Sequence, residues 1–270
     1  MSGLTFQSRD TWAAGRLYEP FMGRWSRRVA IDFLDGLDTA PDLDWLDVGC
    51  GTGGLTETIL HNARPRSIRG VEPSAGFLEH ARARIADRRV TFLSGDAQAL
   101  PVKASRFDSI VSGLVLNFVP DPALAVREMA RATRPGGIVA VYVWDYGGRM
   151  ELLRRFWDAA VELDPSAVEL DEGHRFSLCR RGPLAALFRS SGLGDVTVRP
   201  VEIPTRFEDF DDYWAPFLGG QGPAPGYANS LSDDRRNALR DRIRTGMPIA
   251  DDGSIDLKAR AWAARGRVPA

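Results

Sequence analysis

The chain has 270 residues, enough for one large α/β domain or a core domain with appended elements. A hydrophobic share of 44%, a charged share of 26% and a formal net charge of −1 are ordinary for a globular protein. With a pI of about 6.3 they speak against a nucleic-acid binder, and no stretch approaches the roughly 18 apolar residues of a membrane span.

The first 15 residues, MSGLTFQSRDTWAAG, lack an apolar core, so no signal peptide is expected and the cytoplasm is the expected compartment. The segment Tyr18 to Ser26 precedes the first strand and reads as an amphipathic helix or a lid. Leu43–Val48 is apolar and strand-like. It breaks at Gly49, Gly51, Gly53 and Gly54, and a helix follows over Leu55–Asn62. Apolar runs then alternate with helical patterns. Strands are expected at Ser67–Val71, Val90–Leu93, Phe107–Ser112 and Ile138–Trp144, and helices at Ala75–Asp87 and Pro122–Ala132. Pro135-Gly136-Gly137 reads as a sharp turn before the fifth strand. The alternation implies a mostly parallel sheet with helices on both faces.

Beyond Trp144 the pattern changes. Arg149 to Leu163 is helical, with Leu152, Leu153, Phe156, Trp157 and Ala160 on one face. A polar stretch, Asp164 to Arg175, follows. Pro183 to Arg189 and Ser232 to Arg244 read as helices, and Asp195–Val201 and Ile255–Ala263 are β-like. The basic clusters Arg24–Arg28, Arg82–Arg89 and Arg235–Arg244 read as solvated helix faces. The two cysteines, Cys50 and Cys179, lie far apart in different contexts, which argues against a disulfide framework or a zinc site. Cys50 is read as packing.

A strand feeding a glycine turn at a helix start suits a small polar ligand, because glycine lets it approach the backbone. Gly49, Gly51 and Gly54 match the spacing G-x-G-x-x-G, which alone is weak and leaves a dinucleotide site open. Asp47 at the strand end favours an ammonium group over a pyrophosphate, which it would repel. Glu72, 23 residues after Gly49, ends the second strand, where its two oxygens suit the two hydroxyls of a ribose; a surface acid in a turn is the alternative.

The ordered set LDVGCGTGG, GVEPS, SGDAQALP, FDSIVS and RPGG between residues 43 and 144 resembles the class I S-adenosylmethionine-dependent methyltransferases. Within them it is similar to the small-molecule, ubiquinone/menaquinone methyltransferase-like group. The fold this implies is a Rossmann-like α/β fold: a seven-stranded, mostly parallel sheet with helices on both faces and an antiparallel last strand, plus helical cap elements. Asp195–Val201 and Ile255–Ala263 would be strands six and seven. Residues 1–35 would form a lid, and residues 36–270 a methyltransferase domain with cap insertions at about 147–180 and 207–245.

The cofactor implied is S-adenosylmethionine. Gly49 and Gly51 would admit its methionyl part and Asp47 its ammonium. Glu72, with Pro73 beside it, would take the ribose, and Asp96 with the Ala97 amide the adenine; Asp96 as a helix cap is the alternative. Gly113 and Leu114 would border the cofactor by family analogy. Tyr18 and Arg24 are candidates for the methionyl carboxylate, a role the guanidinium fork suits. Leu114, Leu116, Phe118 and Val119 would face an apolar substrate or pack in the core. Strand four does not end in the Asp/Asn-Pro-Pro-Tyr/Phe signature of amino-methylating nucleic-acid enzymes, nor does the chain carry the paired glutamates of protein arginine methyltransferases. His174 is a weak candidate base, and a surface histidine is the alternative. The expected reaction is methyl transfer to O, N or C of a small molecule, without metal. A non-catalytic S-adenosylmethionine-binding partner or sensor remains the alternative. Oligomeric state is not legible.

Overall fold

The computed structural model describes residues 19–219 and 222–270. Tyr18 lies outside them. Seven strands form one sheet in the order β3-β2-β1-β4-β5-β7-β6. They are β1 (Asp44–Val48), β2 (Ser67–Glu72), β3 (Val90–Ser94), β4 (Phe107–Gly113), β5 (Thr133–Trp144), β6 (Gly194–Phe207) and β7 (Ile255–Arg267). Strand β1 pairs in parallel with β2 and β4, β2 with β3, and β4 with β5. Strand β7 is antiparallel to β5, as the resemblance implies. All five residues of β1 are buried, as befits a central strand covered on both faces. Winding runs from β1 towards β3 on one side and through β4 on the other. The reversal falls between β1 and β4, where open α/β sheets bind ligands beyond the carboxyl ends of their strands.

The helices start for local reasons. Ser74 Oγ accepts from the Phe77 amide at the head of α3 (Ala75–Arg84), and Asp121 does the same for Leu124 at α4 (Pro122–Ala132), which opens on proline. Helix α2 (Gly54–Asn62) follows the glycine turn directly. Three expectations need correction. Helix α3 ends at Arg84 rather than Asp87, because Ile85 turns extended to pack with Cys50, Leu78, Ala81 and Phe92. Arg88 and Arg89 are therefore not a helix face. Pro135-Gly136-Gly137 is not a turn before β5 but an irregularity within it: Gly136 has φ +75°, and the β4–β5 register slips between Phe107 and Ser109. Strands β6 and β7 run well beyond their predicted ends.

Contacts divide the chain into two compact units. One comprises Trp25–Trp144, Leu178–Val201 and Ala261–Ala270, and holds most of the sheet. Most of α1 (Arg24–Asp35) belongs to it, with Val29, Ala30 and Phe33 fully buried and the Phe33 ring 4.6 Å from that of Tyr142. Helix α7 (Arg181–Ser190) is also part of this unit. The other unit comprises Met1–Arg24, Asp145–Ser177 and Glu202–Arg260. It contains α5 (Glu151–Leu163), α6 (Glu172–Arg175), α8 (Phe210–Trp214), α9 (Pro223–Ser230) and α10 (Asp233–Thr245). Its core is aromatic: Phe156 stacks on Phe217 at 4.7 Å, and Trp157, Tyr213 and Tyr227 pack around them. The predicted face of α5 is the buried one. Among the described residues no helix is long and apolar enough to cross a membrane.

At the amino end of β1, buried Asp44 joins several segments. Its carboxylate accepts from Arg66 Nε (3.1 Å), Arg66 Nη2 (2.8 Å), Ser67 Oγ (2.6 Å), Arg106 Nη1 (2.7 Å) and Arg134 Nη2 (3.3 Å). Burial alone would raise its pKa; the bonds from Arg66, Ser67 and Arg106 hold it well below the usual carboxylate range. Asp44→Asn is expected to cost about 3 kcal/mol at neutral pH, since it leaves Arg106 without its carboxylate partner and Arg66 and Arg134 with Asp108 alone. Because the folded pKa is depressed, the stabilisation is present above the unfolded value of about 3.9 and fades as the pH falls below it. Urea unfolding at pH 7 and pH 3 should show the wild-type advantage shrinking in acid.

Candidate cofactor site

The site is built where β1, β2, β3 and β4 end. After Val48 the backbone enters the left-handed region, with φ +72° at Gly49 and +52° at Gly51. At Gly49 a Cβ would also lie 2.6 Å from Val115, so the loop after β4 presses directly on this turn. At Gly51 no atom lies within 4 Å of a Cβ position, leaving open space beside the backbone.

Glu72 holds this turn in place. One carboxylate oxygen accepts from the Gly51 amide (3.1 Å) and the other from the Ser74 amide (2.9 Å). The end of β2 is thereby tied both to the turn after β1 and to the head of α3. Burial raises the Glu72 pKa, while the two amide bonds oppose the rise. Each oxygen retains a second acceptor direction, so the carboxylate keeps capacity for two further donors.

Asp47 is fully buried behind the same turn. Its Oδ2 accepts from Thr56 Oγ1 at 2.7 Å, whereas Oδ1 has no partner. Burial pushes its pKa up to about 7; the Thr56 bond works against this and the nearby Glu72 adds to it. Cys50 packs under the turn, and burial with these two carboxylates raises its thiol pKa, consistent with a packing role. Pro73 is exposed beside Glu72.

Asp96 is exposed beyond β3. Its Oδ1 accepts from the Gln98 amide at 2.7 Å, closing a local turn rather than capping a helix. Among the described residues no protein acceptor takes the Ala97 amide. The Gly95 amide donates to the Glu72 carbonyl (3.3 Å), which keeps this turn beside the end of β2. Gly113 closes β4, and Leu114 follows with φ +63°, a conformation costly for a branched side chain. It is held by its amide donating to the Tyr142 carbonyl at 2.8 Å. Leu116 belongs to the core, whereas Leu114, Phe118 and Val119 are half-buried. Both polar atoms of the Asn117 amide are buried without a partner.

Of the residues singled out in the sequence, Asp47, Gly49, Gly51, Glu72, Pro73, Asp96, Ala97, Gly113 and Leu114 thus all lie at the carboxyl edge of one unit. Arg24 and His174 belong to the other unit. There Arg24 Nη1 donates to both Asp212 oxygens (2.9 and 3.2 Å) and the guanidinium lies over Phe207 at 4.8 Å. His174 is exposed on α6. Two buried acids lie nearby: Asp171, which accepts from Arg154, and Glu172, which accepts from Trp157 Nε1. Burial pushes the Glu172 pKa up to about 8, against the pull of its own backbone and of Trp157. Sequence reading missed Thr56, Ser74, Asn117 and Glu172. A hydroxyl nine residues after Asp47, early in α2, is the only signal that pointed to any of them.

Comparison with known proteins agrees with this geometry. Residues 46–141 match the family model described as a methyltransferase domain. The chain is 32% identical over 172 residues to a demethylmenaquinone methyltransferase of Roseiflexus castenholzii, covering 58% of this chain and 71% of that protein. It is 33% identical over 120 residues to a chloroplastic 2-methyl-6-phytyl-1,4-hydroquinone methyltransferase 2 of rice, covering 44% of this chain but only 34% of that one. A solved phosphoethanolamine N-methyltransferase 2 of Haemonchus contortus in complex with S-adenosylmethionine shares the fold, with a TM-score of 0.60 at 16% identity, over 94% of this chain and 57% of that one. The chain belongs to the class I S-adenosylmethionine-dependent methyltransferases. The unpartnered Asp47 oxygen, the open space at Gly51 and the spare acceptor capacity of Glu72 fit the ammonium, methionyl and ribose parts of that cofactor.

A buried carboxylate with half its acceptors unused is destabilising when ionised. Because the folded Asp47 pKa lies above its unfolded value of about 3.9, this penalty grows as the pH rises from about 4 through 7. Asp47→Asn should therefore stabilise the ligand-free protein at pH 8 by on the order of 2 kcal/mol, about 4–8 °C in Tm. The gain should vanish towards pH 4. Thermal unfolding across this range checks it.

Proposed function

We propose that this chain transfers a methyl group from S-adenosylmethionine to a ring carbon or oxygen of a hydroquinone-type small molecule. The single observation that carries the cofactor half is the Glu72 clamp on the glycine turn at the switch point of the sheet. The acceptor half is supported by the two relatives, whose names specify demethylmenaquinone and a phytyl hydroquinone. The half-buried apolar groups Leu114, Phe118 and Val119 after β4 suit such an acceptor.

When bound, S-adenosylmethionine supplies a methyl group on a positively charged sulfur, a good leaving group. The chain's own contribution is placement. Glu72, with Pro73 beside it, is assigned the ribose hydroxyls, and Asp96 with the Ala97 amide the adenine edge. Gly49 and Gly51 are assigned close backbone approach to the methionyl part, with Asp47 attracting its ammonium from behind the turn. Gly113 and Leu114 border the reacting end. Tyr18 and Arg24 are assigned to the methionyl carboxylate; Arg24 must exchange Asp212 for it. Residues 1–35 are assigned the lid role, and residues 147–180 and 207–245 acceptor selection. Holding nucleophile, methyl carbon and sulfur in line accounts for most of the rate, and the reading assigns no general base.

The direct test is incubation of purified protein with S-adenosylmethionine and a prenylated 1,4-hydroquinone. Release of S-adenosylhomocysteine with a product heavier by one methylene is expected. Tight S-adenosylhomocysteine binding with no release for any hydroquinone, phenol or amine tried would favour a non-catalytic binding partner or sensor.

Glu72→Ala should weaken S-adenosylhomocysteine binding at least about tenfold, since hydrogen bonds to a charged group contribute roughly 1.5–3 kcal/mol each. Glu72→Gln should fall between it and wild type, because its carbonyl can still accept from one backbone amide. Equal affinities in calorimetry for all three proteins would remove Glu72 from the cofactor site.

A further inference from the structure

A groove of about 800 Å³ opens at the other end of the same strands, where β2 and β3 begin. Along β2 it runs from Ser67 to Arg69, so its near end lies three residues from Glu72, about 10 Å at the rise of a strand. Six arginines line it (Arg64, Arg66, Arg69, Arg88, Arg89 and Arg106) against the single acid Asp42. This departs sharply from a chain whose formal net charge is −1.

Carboxylates behind the rim fix three of these guanidinia. Arg66 and Arg106 are anchored by buried Asp44, and Arg89 by Asp87 at 2.9 Å. Among the described residues, Arg64, Arg69 and Arg88 form no ion pair. Arg69 and Arg106 flank the Phe107 ring, at 5.9 and 5.6 Å, which limits their swing. Two lining residues are also strained. Asp42 (φ +67°) and Arg64 (φ +45°) sit in the left-handed region without being glycine, and the Asp42 amide donates to the Arg64 carbonyl at 3.0 Å. Such conformations persist where the surrounding structure over-determines them, and they cluster at ligand sites.

We infer that this groove is a second ligand site, for a small anion carrying two or more phosphate groups. Guanidinium groups match phosphate oxygens in pairs, and three arginines without a carboxylate partner, set against the single Asp42, leave the groove positive for a multiply charged anion. The volume falls within the range of small-molecule sites, about 300–1,000 Å³. Outside the groove acidic residues outnumber basic ones, which disfavours an extended polyanion. Its position at the opposite strand ends makes it independent of S-adenosylmethionine, and the inference does not rest on the methyl-transfer reading.

The test is calorimetric titration of the full chain with sodium pyrophosphate, against sodium sulfate at equal ionic strength. The variant is R64Q/R88Q, which removes two exposed, unpaired arginines without touching the Asp44 network. Pyrophosphate should bind more tightly than sulfate and lose at least about tenfold in affinity in the variant. S-adenosylhomocysteine should bind the variant within about twofold of wild type, which shows that it is folded. ATP binding more tightly than pyrophosphate would point to a nucleotide as the source of the phosphates, and equal or weaker binding to the free anion. Pyrophosphate no tighter than sulfate, an unchanged affinity in the variant, displacement of S-adenosylhomocysteine by pyrophosphate, or tighter binding of a single-stranded RNA oligomer would each overturn the assignment.

Discussion

One carboxylate sets the geometry of the cofactor edge. Glu72 accepts from the amides of Gly51 and Ser74, so the turns after β1 and β2 cannot move apart without unpairing a buried acid. The remaining pieces are placed relative to that clamp. The Gly95 amide brings the turn after β3 to the Glu72 carbonyl, and Val115 presses the loop after β4 onto Gly49. Four strand ends thus converge on one short stretch of open backbone. The strand order ensures that they converge at the point where winding reverses, which is why a ligand site falls there.

The two ends of β1 show how the same side chain serves opposite purposes. Asp44 and Asp47 are three residues apart, and both are buried. Asp44 receives several donors and is held well below its usual pKa, which suits a structural pin. Asp47 receives one hydroxyl and is pushed up to about 7. A fold needing only stability would supply Asp47 with a second donor or replace it by an apolar residue. Leu114 in the left-handed region and the unpartnered Asn117 amide are further local costs at the same edge. Such costs beside an open stretch of backbone are the pattern expected when binding rather than folding selects the residues.

Much of the sheet unit was readable in the sequence, because apolar runs, glycine punctuation and helical periodicity are local signals. Strands β1 to β4 and helices α2 and α4 fall within a residue or so of their expected places. The misjudged features depend on distant partners. Helix α3 stops early because Ile85 finds the Cys50–Phe92 cluster. The Pro135–Gly137 stretch stays in the sheet because Gly136 and Gly137 exchange backbone bonds with Val268, just past the end of β7. Arg24 stands as a candidate for the methionyl carboxylate, and its present partner Asp212 lies 188 residues away, beyond the reach of any local signal. In the polar stretch before Arg175, His174 is a candidate by residue type alone, while the buried acids Asp171 and Glu172 take partners, Arg154 and Trp157, from the preceding helix. Arginines from three separate stretches of sequence meet in the groove at the amino ends of β2 and β3; no spacing rule could have grouped them.

The central claim is that the clamped glycine turn and its neighbouring strand ends bind the cofactor. Backbone hydrogen exchange with and without S-adenosylhomocysteine tests it most directly, because it reports where a ligand orders the chain. Added protection is expected at residues 49–54, 72–75, 96–98 and 113–115, and not at residues 64–69 or 88–91. Unchanged exchange across the first set in the presence of saturating ligand, or protection appearing elsewhere in its place, would contradict the account.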